Sequence, residues 1–203
     1  MRQIQFTEIT SVLGTLTALI AGLITATVMG GVLYAIQRYT GFYLIVVFPT
    51  LAGAVTGWAL SKAIIFGNVT NGAVAALIGL IAAAVLVGTP HYGKYQLEFK
   101  DEGRRFLISK NLPVTDQAVD ETTDEILRSE IGATGFIGFL QLEARHGISI
   151  TRSLMISSSG FELRGIWHWV YSAAEFGIVL SIVVGIGATA PFSQTQQQQA
   201  EEG

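Results

Sequence analysis

The chain contains no cysteine and few charged residues, and each shortage excludes a class of protein. Without cysteine it can form neither a disulfide framework nor a thiolate metal site. Charged residues make up 13% of the 203 residues, whereas soluble domains carry about 25%. The net charge is −3 at pH 7, so the chain lacks the basic character that nucleic-acid binding requires.

Common catalytic motifs are also missing from the sequence. It contains no glycine-rich phosphate loop, no H-E-x-x-H and no G-x-S-x-G. The isolated ionisable residues that remain do not form a catalytic constellation. The sequence therefore predicts no enzyme activity, no metal site and no cofactor.

The charges are concentrated in one block, and four long apolar windows lie outside it. About 20 residues at 1.5 Å each cross the ~30 Å hydrocarbon core of a bilayer. We predict a mainly α, polytopic membrane protein with a small α+β insertion between its third and fourth helices. The predicted parts are three transmembrane helices within 1–91 (about 11–36, 42–65 and 73–89), the insertion at 92–165, a fourth transmembrane helix at 166–190 and a disordered polar tail at 191–203.

Lysine and arginine predict the orientation of these helices. Arg2 and Lys62 lie on the side of the two termini. The opposite side carries more basic residues close to the spans, namely Arg38, Lys94, Lys100, Arg104, Arg105, Arg152 and Arg164. By the positive-inside rule the insertion is cytoplasmic, and both termini lie across a bacterial plasma membrane or internal membrane.

Small residues recur every four positions along three of the predicted helices. Residues at this spacing share one helix face, and small side chains let helices approach closely in lipid. The pattern predicts packing inside a four-helix bundle, or a face that binds a partner membrane protein or a second copy. The residues are Gly14, Ala18, Gly22, Ala26 and Gly30 in the first helix, Gly53, Gly57 and Ser61 in the second, and Gly177, Ser181 and Gly185 in the fourth.

Pro49 lies inside the predicted second helix. Because proline removes a backbone donor and clashes with the preceding turn, we expect a kink there. A hinge or broken helix at a binding site is the alternative.

The insertion contains several local patterns. Residues 95–108 alternate apolar and polar side chains around Gly103, which predicts a β-hairpin, with a helical extension of the third span as the alternative. Thr115 and Gly132 are predicted to cap an acidic helix.

Residues 136–146 are predicted to form an amphipathic helix that ends at Gly147 and either covers the insertion or lies on the bilayer. Residues 148–156 alternate like a strand.

A cluster of carboxylates near the start of the acidic helix lacks the glycine and ligand spacing of an EF-hand loop. We interpret it as a solvated helix face. Its members are Asp116, Asp120, Glu121, Asp124 and Glu125.

Three stretches resemble an uncharacterised family of bacterial membrane proteins with four spans. They are G-F-Y-L-I-V-V-F-P, G-A-T-G-F-I-G-F-L-Q-L-E-A-R-H-G-I-S-I and G-I-W-H-W-V-Y-S-A-A-E-F. In that family the last span is often followed by Pro-Phe and a C-x-x-C pair. Here Pro191 and Phe192 are followed by S-Q-T-Q, so the resemblance implies no metal or redox role for the tail, and it implies no other function.

Glu175 is a carboxylate about 13 Å into the predicted fourth helix, where a charge costs about 2.5–3.5 kcal/mol or more. His168, Tyr171, Ser172 and Glu175 share one face of this helix. Three interpretations stay open. Glu175 is a protonated carboxyl bonded to buried threonine hydroxyls, a proton or cation transport site, or an anchor for another membrane protein or a lipid headgroup.

His91 and His168 are predicted to lie at the same depth, at the cytoplasmic ends of the third and fourth helices. Two such histidines could hold a haem, a pigment or a metal. Their aromatic neighbours are typical of an interfacial belt. These neighbours are Tyr92, Trp167, Trp169 and Tyr171.

The leading prediction is a non-enzymatic accessory, assembly or scaffold protein that acts through helix packing and through the insertion. The first alternative is a small channel or transporter centred on Glu175. The second is a haem or pigment carrier that uses His91 and His168.

Overall fold

The structure, a computed structural model, describes residues 2–40, 46–146, 148–150, 161–163 and 165–201, and it is mainly helical. The α-helices of this part of the chain are α1 (Arg2–Thr40), α2 (Val47–Phe66), α3 (Gly72–Lys94), α4 (Lys100–Ser109), α5 (Asp116–Ile131), α6 (Gly135–His146) and α7 (Ile166–Glu201). A π-helical turn, Tyr95–Phe99, joins α3 to α4. Two short strands, β1 (Ile148–Ile150) and β2 (Phe161–Leu163), pair antiparallel, with Ile148 opposite Leu163.

Three of the described helical segments are long and apolar enough to cross a membrane, which supports the predicted membrane location. They are Val12–Thr40, Gly72–Ser109 and Ile166–Ala190, and they contain the predicted first, third and fourth spans. The predicted second span corresponds to α2, which has 20 residues, includes Lys62 and is not one of the three.

The chain divides into two compact units. The bundle unit consists of residues 1–33, 44–88 and 174–203, and its core takes buried residues from α1, α2, α3 and α7. The head unit consists of residues 34–43 and 89–173 and includes the whole range of the predicted insertion, 92–165.

Within the bundle unit, the small residues of α1 lie against neighbouring helices. All five members of the predicted face, Gly14, Ala18, Gly22, Ala26 and Gly30, are buried. A Cβ atom on Gly22 would lie 3.2 Å from Leu60 of α2 and 3.7 Å from Ala82 of α3. The absence of a side chain therefore allows three helices to meet at this point.

The small residues of α2 and α7 differ in their surroundings. Gly53 and Gly57 of α2 face α7, and a Cβ atom on Gly57 would lie 3.1 Å from the side chain of Ile186. On α7, Gly177 and Gly185 have no described residue within 4 Å of an added Cβ atom. Ser181, between them, is exposed.

The predicted hairpin at 95–108 is wrong, and the alternative of a helical extension is observed. Gly103, predicted as the turn residue, is buried in α4. A Cβ atom there would lie 2.7 Å from Thr123 Cγ2 of α5, so glycine is needed for close helix contact. The alternation that predicts strands also has partial helical spacing, since Tyr95 and Phe99 are four residues apart and both join one apolar cluster.

The predicted acidic helix is confirmed, together with both of its ends. The Thr115 hydroxyl accepts a hydrogen bond from the Ala118 amide at 3.1 Å, which caps the N-terminus of α5. Gly132 follows the helix with φ of 78°, a left-handed conformation that glycine adopts without strain.

The predicted amphipathic helix is α6, and its apolar face covers the head unit. Phe139 and Leu142 pack with Leu127 of α5 and with Tyr95. Of the two alternatives for this helix, the structure favours packing onto the insertion. The strand predicted at 148–156 is observed as Ile148–Ile150, and residues 151–156 lie outside the described residues.

Several predicted boundaries and breaks differ from the structure. Pro49 lies in the first turn of α2, where a helix tolerates a missing N–H, so the expected kink inside the helix is not needed. Conversely, α3 continues through Pro90, beyond its predicted end at Thr89. The polar tail at 191–203 is predicted to be disordered, but the last helix, α7, continues to Glu201. The glutamines and alanine near its end have favourable helix propensity, which the polarity of the tail does not reveal.

Candidate functional site

The head unit contains a buried ionic cluster centred on Glu143 of α6. The Glu143 side chain is 11% exposed. One carboxylate oxygen lies 2.9 Å from His91 Nδ1, and the other accepts a hydrogen bond from Lys94 Nζ at 2.9 Å. Both oxygens of this carboxylate are therefore paired with side chains of α3.

The local helix geometry brings these residues together. His91 and Lys94 are three residues apart in the last turn of α3, so their side chains lie on one face. Glu143 lies between buried Leu142 and Ala144 on α6. We refer to His91, Lys94 and Glu143 as the α3–α6 clamp, because they join these two helices.

Glu143 is held in its ionised form. Burial alone would raise the pKa of this carboxyl, but the hydrogen bond from His91 and the positive charge of Lys94 outweigh burial. Together they lower its pKa from 4.5 to about 2. At neutral pH the clamp therefore contains a fixed negative charge with a full set of partners, an arrangement suited to structure and not to proton transfer.

His168 lies beside the clamp, at the start of α7. It is 2% exposed, and Glu143, His91 and Lys94 each interact with it electrostatically. Its Nδ1 atom has no hydrogen-bond partner among the described residues. A buried polar atom without a hydrogen bond reduces the unfolding free energy by about 1–3 kcal/mol, so this atom of His168 destabilises the head unit.

Backbone contacts fix the start of α7 near Glu143. The Gly165 amide donates a hydrogen bond to the carbonyl oxygen of Ala144 at 2.8 Å. The His168 amide donates to the Gly165 carbonyl at 3.2 Å, and the Ser172 hydroxyl donates to the His168 carbonyl at 3.0 Å.

The sequence predicts that His91 and His168 lie at the same depth, and in the structure His91 and Glu143 both interact electrostatically with His168. Glu143 and Lys94 were missed as members of this cluster. One sequence feature indicates that Glu143 is buried: it lies on the apolar stripe of α6, four residues after Phe139 and seven after Phe136. Among the described residues, no group of three or more histidine and carboxylate side chains could hold a metal ion.

The predicted polar face of α7 lies on the less exposed side of the helix. Tyr171, Ser172 and Glu175 are half-buried, whereas Trp167 and Trp169 are 64% and 48% exposed. Glu175 belongs to the bundle unit, whereas Glu143 belongs to the head unit. The aromatic belt stays a prediction.

The acidic cluster of α5 takes part in contacts within the head unit. Asp120 pairs with Lys100 at 2.7 Å, and Asp116 lies 3.6 Å from Arg104. Asp124 accepts a hydrogen bond from the Gly135 amide at 2.8 Å. These carboxylates link α5 to α4 and to the start of α6.

No protein-family model, curated protein or solved structure matches the chain.

Proposed function

We propose that the chain is an integral membrane protein with four spans and a cytoplasmic head, and that it has a non-enzymatic accessory, assembly or scaffold role. In this proposal α1, α2, α3 and α7 cross the bilayer. The head unit then presents a contact surface to a partner protein.

Two contacts between α2 and α1, both within the bundle unit, support the assignment of α2 as the second span. Gly67, which follows α2, contacts Gly14 of α1, and Leu60 of α2 lies 3.2 Å from an added Cβ atom on Gly22 of α1. The chain therefore runs antiparallel to α1 through α2, whose 20 residues correspond to about 30 Å of helix.

A separate contact in the head unit agrees with an even number of crossings between α1 and α4. Arg38, near the end of α1, pairs with Glu98, in the π-helical turn after α3, at 3.4 Å. If α1 and α3 both span, these residues share one side of the membrane only when α2 also crosses it.

The main support for the accessory role is an exposed apolar stretch on the head unit. Within residues 106–114, four large apolar side chains are 42–58% exposed, namely Phe106, Ile108, Leu112 and Val114, whereas Leu107 is buried. Outside a membrane, several such side chains close together mark an interaction surface. We therefore assign this apolar stretch to contact with a partner protein.

The experiment is a tagged purification from native membranes in mild detergent, followed by mass spectrometry of the co-purifying proteins. We expect a stoichiometric companion that is lost from an Ile108→Ser, Leu112→Ser variant. Ile137→Ser on α6, where the side chain is 62% exposed, is the matched control and should keep the companion. A monomeric protein with no companion in native membranes contradicts the accessory role, whereas a second copy of the chain identifies the companion as a homo-oligomer.

A specific observation also supports a second candidate, a small channel or transporter. Glu175 is half-buried inside a segment long and apolar enough to span the membrane. Intramembrane carboxylates commonly mark ion or proton pathways. In proteoliposomes, Glu175→Gln should then abolish a proton or cation flux, and an unchanged flux rejects this candidate.

A further inference from the structure

The head unit contains a cavity of about 640 Å³ that is bordered by α4, α5, α6 and the π-helical turn. Aromatic rings form much of its apolar wall, and carboxylates also line it. The rings are Phe99, Phe106 and Phe139, and three of the carboxylates are Glu98, Glu102 and Glu130. Phe99 and Phe139 contact each other, with ring centroids 5.4 Å apart.

The charges that line this cavity do not cancel. Lys94 and Glu143 also line it, but they pair with each other in the α3–α6 clamp. Glu98 pairs with Arg38 at 3.4 Å, and Glu130 lies 3.7 Å from His146. Glu102 is exposed and has no ion pair in the part of the chain that the structure describes. The cavity therefore combines aromatic surface with a surplus of negative charge.

We propose that this cavity binds a small organic cation, a substituted ammonium carried on an aromatic or aliphatic body. Its volume lies within the range of about 300–1,000 Å³ that is typical of small-molecule sites. The faces of aromatic rings attract cations, and substituted ammonium groups are recognised in this way. Phenylalanine rings also cover the apolar body, while Glu102 and Glu130 attract the charge.

Anions are not expected to bind, because four carboxylates line the cavity against one lysine and one histidine.

Cation binding goes beyond the accessory role, since it depends on the head unit alone and not on a partner protein. Loss of a co-purifying companion and loss of cation binding are measured separately, so either proposal can fail without the other.

The test is a ligand-observed NMR titration of the full chain in lipid nanodiscs with benzyltrimethylammonium. Benzyl alcohol is the uncharged aromatic control, and tetramethylammonium is the control without a ring. We expect benzyltrimethylammonium to bind saturably. Tetramethylammonium should bind more weakly, and benzyl alcohol should show no binding beyond its partition into empty nanodiscs.

Two variants with exposed substitutions locate the site. Glu102→Gln, Glu130→Gln should weaken binding about fivefold, the effect of losing two exposed charge interactions. Glu121→Gln, Glu125→Gln is the matched control, because these exposed carboxylates of α5 do not line the cavity, and it should bind as the native chain does. Phe106→Ala, which removes a half-exposed ring from the wall, should also weaken binding.

Equal affinity of the native chain and the Glu102→Gln, Glu130→Gln variant overturns the proposal. So does benzyl alcohol binding as tightly as the cation, because the cavity would then bind apolar molecules without regard to charge. Absence of saturable binding to the native chain at millimolar probe overturns it as well.

Discussion

At the scale of single residues, Glu143 differs from the other carboxylates of the head unit in its burial. Its side chain is 11% exposed, compared with 34% for Glu98 and 47% for Glu130. A buried carboxylate is stable only when its partners replace the water that it has lost. His91 and Lys94 provide that replacement, so the clamp should be cooperative.

Substitution of Glu143 should therefore destabilise the head unit strongly. Glu143→Gln keeps the shape of the side chain but leaves Lys94 buried without its counter-charge. Breaking a buried pair in this way costs about 3–5 kcal/mol, and we expect a loss near the lower end of that range. The measurement is thermal unfolding of the purified protein in detergent, with the exposed Glu130→Gln as control. Equal melting temperatures for the two variants would show that the clamp does not stabilise the fold.

The pH dependence of stability follows from the same residue. The pKa of Glu143 is lowered from 4.5 to about 2 on folding, so its contribution is complete above pH 4.5. The contribution decreases as the pH falls below this value and is lost as the pH passes through about 2. The difference in unfolding free energy between the native chain and Glu143→Gln should shrink over this window. Parallel curves for the two proteins between pH 5 and about 2 would falsify this assignment.

Sequence reasoning could find His91 and His168 but not the residue that organises them. The two histidines stand at the ends of apolar windows, which sets their depth. Glu143 is separated from His91 by a turn and two helices, so no sequence spacing links them. Long-range pairing of this kind depends on how α6 packs, which local patterns do not specify.

At the scale of secondary-structure elements, α5 and α4 show where local signals suffice. The ends of α5 follow from the cap at Thr115 and the stop at Gly132, both of which act through neighbouring backbone groups. For α4, alternation over a short segment did not distinguish a hairpin from a helix. The deciding contact, Gly103 against Thr123, is tertiary and outweighs the local pattern.

Glycines on two helices of the bundle unit, α2 and α7, allow a matched test of packing. A side chain at Gly57 would enter α7, where Ile186 lies 3.1 Å from an added Cβ atom, whereas no described residue lies within 4 Å of an added Cβ atom on Gly185. Gly57→Leu should destabilise the bundle unit by about 1–3 kcal/mol through overpacking. Gly185→Leu should have little effect. Thermal unfolding in the same detergent compares them, and a Gly185→Leu variant that is the less stable of the two contradicts the observed packing.

At the scale of the whole molecule, composition predicts the membrane location and the mainly helical fold, because hydrocarbon demands long apolar helices. Three of the four predicted spans are contained in helices that meet this requirement. The second is harder to assign from composition, since α2 includes Lys62 and several hydroxyl side chains. Its position depends on packing against α1 and α7, which the sequence shows only through small residues such as Gly53 and Gly57.

The central claim, four spans with a cytoplasmic head, is tested most directly by labelling single cysteines. The chain has no cysteine of its own, so each variant carries one reactive site. The positions are Tyr39, Thr70 and Glu125, all of them exposed and each replaced by cysteine in turn.

With a membrane-impermeant thiol reagent on intact cells, we expect Thr70→Cys to be labelled. Tyr39→Cys and Glu125→Cys should react only after the cells are permeabilised, since α2 and α3 together return the chain to the side on which α1 ends. Labelling of Tyr39→Cys and Glu125→Cys from opposite sides would mean that α2 does not cross the membrane, which contradicts the four-span account.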